Sequence, residues 1–160
     1  MKIKTIRLIS LILLVIWTGV IFGFSAQNSE DSSEVSHGIV DRVAEAVYPN
    51  YKNLNESEKQ EVLERIDMPV RKLAHFLEFF VLGLIAFVFF ATFNGFSLKL
   101  KFIIPFVYGL IYAVIDELHQ LLVAGRACRV LDVCIDLAGV LLAVISGFLV
   151  FKKMRSGKIG

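Results

Sequence analysis

The chain has 160 residues, of which 56% are hydrophobic and 20% charged, and its mean hydropathy is +0.69. Soluble domains carry about 45–50% apolar residues, so this composition excludes an ordinary soluble domain and predicts an integral membrane protein. The net charge of +2 is small and the 17 basic residues form no single block, which argues against a nucleic-acid partner.

The first element is the apolar window Ile6 to Phe24, preceded by Lys2, Lys4 and Arg7. Its length exceeds the h-region of a signal peptide, and bulky Phe24 stands where cleavage wants a small residue, so it reads as an uncleaved anchor. Next comes the segment of residues 25–71, which holds ten acids against five bases and reads as solvated. Within it Val35, Ile39, Val43 and Val47 make a helical stripe that Pro49 ends, and His37 reads as a solvated surface residue. Asn55 with Glu58 fits an N-cap and its capping-box partner, and Val62, Leu63 and Ile66 give the following stretch an apolar face. Two short helices resting on the membrane or on the bundle are expected here.

Three more apolar windows follow, Lys72 to Phe93, Phe102 to Ala124 and Val130 to Phe151, each close to the ~20 residues a membrane-spanning helix needs. The expected fold is all-α, a four-helix membrane bundle with a helical extracytoplasmic segment between its first two spans. Basic residues fall before the first span, at Lys99 and Lys101 between the second and third, and at Lys152, Lys153, Arg155 and Lys158 after the fourth. With four crossings these clusters share one side, which puts both termini in the cytoplasm and residues 25–71 and the "GRACR" turn outside. Cys128 and Cys134 match neither a redox pair nor a zinc-ligand spacing and read as small buried or interfacial thiols.

Five acids, Glu78, Asp116, Glu117, Asp132 and Asp136, lie inside the spans. Near the bilayer centre each charge costs about 2.5–3.5 kcal/mol, so such residues face the bundle interior or a wet cavity. At the ~1.5 Å rise of a helix, Glu78, Asp116, His119 and Asp136 lie roughly 9, 12, 8 and 9 Å from the outer ends of their helices. Three stripes agree with that level: Arg71, His75 and Glu78; Tyr112, Asp116, His119 and Gln120; Asp132 and Asp136. The last stripe continues into Gly139, Ala143 and Gly147, small residues at every fourth position that let helices approach closely. One polar interior in the outer half of the bundle is the expectation.

The segments "FSAQNSEDSSEVS", "RKLAHFLEF", "DELHQLLVAGR" and "DVCIDLAG", in that order, together resemble the VanZ-like family over nearly the whole chain. Asp136 stands where many members carry asparagine, and Ala124 where the family often has proline. The resemblance implies a single VanZ-like domain over residues 1–160 of a protein of the bacterial cytoplasmic membrane. The family is named for a member associated with resistance to the glycopeptide teicoplanin. By position the family motif points to Arg71, Lys72, His75, Glu78, Asp116, Glu117, His119, Gln120, Arg126, Asp132 and Asp136.

Three readings of this cluster stand side by side. It is a structural network that fixes helix register, with Arg71, Lys72, Arg126 and Arg129 neutralising carboxylates. It is a site for a lipid or cell-wall precursor headgroup, the arginines taking phosphate in pairs. Or it is an intramembrane hydrolase or transferase with catalytic candidates Glu78, Asp116 and His119, working by a carboxylate–histidine general base or a divalent metal. The residue types such a metal accepts are His75, Glu78, Asp116, His119 and Asp136.

Overall fold

The computed structural model describes residues 3–26, 29–123 and 128–156, apart from the side chains of residues 29–37. His37 and Arg126 therefore lie outside the described side chains. The described residues form five α-helices: α1 (Ile3–Ser25), α2 (Ser29–Val47), α3 (Glu56–Ala91), α4 (Leu98–Gln120) and α5 (Val130–Ser156), with a 3-10 turn at Tyr51–Asn53. Four of them, α1, α3, α4 and α5, are long and apolar enough to cross a membrane. The chain is a multi-pass, all-helical membrane protein.

The region before the second span corrects the sequence expectation. Instead of a short outer helix and a separate span, α3 is one helix of 36 residues running through Pro69, about 54 Å long at the usual rise. A hydrocarbon core is about 30 Å thick, so the first turns of α3 extend well past it. Proline inside a helix costs about 3 kcal/mol through a lost hydrogen bond and a clash with the preceding turn. Packing on both sides of Pro69 offsets that cost. On the N-terminal side, Ala44, Tyr51 and Val62 form a small core with Tyr48, Leu54, Leu63 and Ile66 around it, joining α2 to α3 as a helical hairpin. The predicted capping box starts α3: Asn55 Oδ1 accepts from the Glu58 N–H, and Glu58 Oε2 accepts from the Asn55 N–H, both at 2.9 Å.

α3 packs most extensively on α5 and also against α1, α2 and α4, making it the axis of the bundle. The interior away from the acids is apolar: Leu14, Ile21, Phe79, Leu82, Ala86, Phe87, Ala113, Val140 and Val144. Close approach of α3 and α5 is what the small residues permit. A Cβ at Gly139 would run into the carbonyl of Phe76, and one at Gly83 would stand 2.8 Å from Ala143 Cβ. These contacts are too close for any real side-chain carbon.

Two helix limits also differ from expectation. Ser97 caps α4 by accepting from the Leu100 N–H, so the helix begins before Phe102, and it ends at Gln120 rather than Ala124. Cys128 and Cys134 are free and exposed on the protein surface. Of the two expectations, buried or interfacial, burial fails: one thiol precedes α5 and the other lies on its outward side.

Candidate functional site

The most buried acids belong to α4 and α5. Asp116 and Asp136 are each 2% exposed and Glu117 is 1% exposed, on helices whose other faces meet lipid. Asp136 lies within electrostatic reach of Asp116, Glu117, Asp132 and Glu78. The five acids of the spans thus converge on one region. Three helices contribute them, which is why the three sequence stripes share an interior.

Asp116 is held from two directions. Its Oδ2 accepts from Ser25 Oγ at 2.8 Å and from Gln120 Nε2 at 3.1 Å. Gln120 reaches it across one helical turn on the same face. Ser25 comes from the last residue of α1 and is fully buried. Sequence reasoning missed it, because a lone serine after an apolar run has no periodic signature; its place in the "FSAQNSEDSSEVS" segment was the available clue.

α1 closes the site in other ways. Trp17 Nε1 donates to the Glu78 carbonyl at 2.9 Å, and the Tyr112 hydroxyl donates to the Thr18 carbonyl. Phe22 lies against the His119 ring, centroids 4.2 Å apart and tilted by 31°. These contacts fix α1 against α3 and α4 at the level of the acids, so four helices surround the buried polar cluster, or polar chamber.

Toward the rim the groups pair off. Lys72 Nζ stands 3.2 Å from Asp132 Oδ1, an ion pair without the alignment of a hydrogen bond. His75 Nδ1 is 3.7 Å from Glu78 Oε2. Glu117 Oε1 accepts from the Arg129 N–H, which ties the end of α4 to the start of α5. Arg71 meets Asp67 at 3.7 Å, one turn earlier on α3.

Of the eleven residues singled out by motif, the structure gathers His75, Glu78, Asp116, Glu117, His119, Gln120, Asp132 and Asp136 around the chamber with Lys72 at its edge. Arg71 sits beside it, and Arg126 is outside the described residues. Among the described residues no three His, Cys, Asp or Glu side chains are placed to hold one metal ion.

Some polar atoms at the floor have no donor or acceptor. Asp116 Oδ1, Asp136 Oδ1 and His119 Nδ1 are buried with no hydrogen-bond partner among the described residues. An unmet buried acceptor costs about 1–3 kcal/mol, more when charged. The two carboxylate oxygens are acceptors left unpaired inside the bundle.

No curated protein and no solved structure matches the chain. The VanZ/LLP1 family model matches residues 10–151, a stretch that reaches all four spans and includes every chamber residue named above. The chain belongs to the VanZ/LLP1 family.

Proposed function

We propose that this protein acts at the bacterial cell envelope by binding a lipid or cell-wall precursor headgroup in its polar chamber, and that this binding contributes to low-level teicoplanin resistance. The observation that carries the reading is the pair of buried, unpartnered carboxylate oxygens, Asp116 Oδ1 and Asp136 Oδ1, on facing helices. A purely structural network closes its own hydrogen bonds, since a half-satisfied buried network is worse than an apolar core. Two buried acids that keep free acceptors fit a ligand that brings its own donors. Lys72 at the rim supplies positive charge for a phosphate on the same headgroup. Basic residues flanking the opposite end of the spans orient the chamber toward the outer leaflet, where wall precursors and the lipid-tailed antibiotic meet.

The test is teicoplanin susceptibility in a host that lacks its own copy, expressing wild type or Asp116→Asn at matched membrane levels. The amide keeps the side chain's shape and removes its charge. The reading expects Asp116→Asn to behave as the empty vector while remaining folded. Wild-type resistance in the variant would overturn it.

A further inference from the structure

A second site lies at the other end of the bundle, where α1 and α4 begin and α3 and α5 end. The chain carries no Asp or Glu in residues 1–29, 79–115 or 137–160, so this end is free of acid. A cavity of about 590 Å³ opens there between α1, α3 and α5, walled by Leu84, Phe87, Val88, Val150 and Met154 and reached by Lys101. Its size falls within the ~300–1,000 Å³ of ligand sites.

Lys101 is only 6% exposed. Its Nζ does not reach outward to water as lysines near helix ends usually do. It donates instead to the Ala91 carbonyl at 2.6 Å and lies 5.0 Å from the Phe151 ring. Arg7 occupies the same helix end, donating to Thr92 Oγ1 at 3.0 Å and to the Thr92 carbonyl at 2.8 Å. The C-terminus of a helix offers about half a negative charge. Two full cations on α3 therefore leave an excess of positive charge, and Arg155 is near enough to Lys101 to repel it. A buried ammonium requires a counter-charge, and Lys101 has no salt-bridge partner among the described residues.

We propose that this cavity binds an anionic phospholipid, its phosphate at Lys101 and Arg155 and one acyl chain along Leu84, Phe87, Val88 and Val150. The chemistry is that of basic pockets between membrane helices, which take acidic headgroups. A zwitterionic lipid fits less well because its own ammonium neutralises its phosphate and leaves the excess charge of the site unmet.

The test uses purified full-length protein in a neutral detergent, titrated with phosphatidylglycerol, with phosphatidylcholine of the same chains, or with inorganic phosphate, and read by thermal unfolding. Phosphatidylglycerol is expected to raise the wild-type Tm saturably, the other two to shift it little. Lys101→Gln is expected to weaken the apparent Kd about tenfold or more, the scale of one charge-assisted contact. Ser146→Phe fills the cavity and leaves Lys101 intact; it is expected to abolish the lipid-dependent shift, and it decides the matter if Lys101→Gln does not fold. Equal shifts with phosphatidylcholine, a full shift with phosphate alone, or an undiminished shift in Ser146→Phe would each overturn the proposal.

Discussion

The two halves of the bundle are built on opposite rules. In the half around Asp116 and Asp136, helices are joined by named polar contacts: Ser25 to Asp116, Lys72 to Asp132, Glu117 to the Arg129 N–H. In the other half α3 and α5 are joined by shape, with Val140 and Ala143 set against Gly83, and the polar contacts there are cations, Arg7 and Lys101, on the carbonyls that end α3. In the membrane there is no water to drive helices together, so packing and polar contacts must do it. The contrast teaches where each is spent: the close-packed half gives rigidity without acids, and this lets the other half keep unpaired carboxylates that would be costly in a loose bundle.

The largest predicted effect comes from breaking the close-packed contact. Gly83→Leu forces a side chain into Ala143 Cβ and the Val140 backbone, which cannot evade it, and is expected to cost about 3 kcal/mol or more. Loss of the monodisperse peak in size-exclusion chromatography would register it. An unchanged peak and Tm would mean α3 and α5 are farther apart than described.

A smaller effect sharpens the polar side of the comparison. Ser25→Ala removes one donor from buried Asp116 and is expected to cost about 1.5–3 kcal/mol, the range for a hydrogen bond to a charged group. Thermal unfolding of Ser25→Ala alone and with Asp116→Asn would reveal the coupling, because the loss should shrink once the charge is gone. Additive losses would remove α1 from the site.

The smallest effect falls outside both halves, in the α2–α3 hairpin. Burial first, and then the hydrogen bond to Asp41, push the Tyr51 hydroxyl up to about 12. The unfolded phenol titrates near 10. The folded state holds its proton more tightly, so this contribution is complete below about pH 10 and is lost as pH rises toward 12. Tyr51→Phe should flatten that alkaline decline and leave the membrane core unaffected, as followed by hydrogen exchange in α2. A decline of the same steepness in the variant would assign it elsewhere.

Much of this was legible in the sequence because the membrane simplifies the physics. Apolar runs fixed by bilayer thickness marked the four spans, the Asn55–Glu58 pair marked a helix start, and acids inside those runs marked the chamber. What escaped was tertiary. Continuity of α3 through Pro69 depends on the hairpin core around Tyr51 and Val62, which no local propensity encodes. Ser25 joined the site only because α1 ends beside Asp116, and the pairing of Arg71 with Asp67, one turn earlier on its own helix, has no signature in the family motif. The early end of α4 follows from a turn after Gln120 that no proline or glycine announces.

The central claim is that the polar half carries function and the close-packed half carries stability. The most direct measurement sets Asp116→Asn beside Val144→Ala in the susceptibility assay, at equal membrane levels, with the Tm of each purified protein in hand. Val144 is fully buried in the apolar half, and its truncation costs stability without touching the chamber. The account predicts that Asp116→Asn loses teicoplanin resistance while retaining most of its Tm, and that Val144→Ala loses Tm and retains resistance. Resistance that follows Tm in both variants would contradict it.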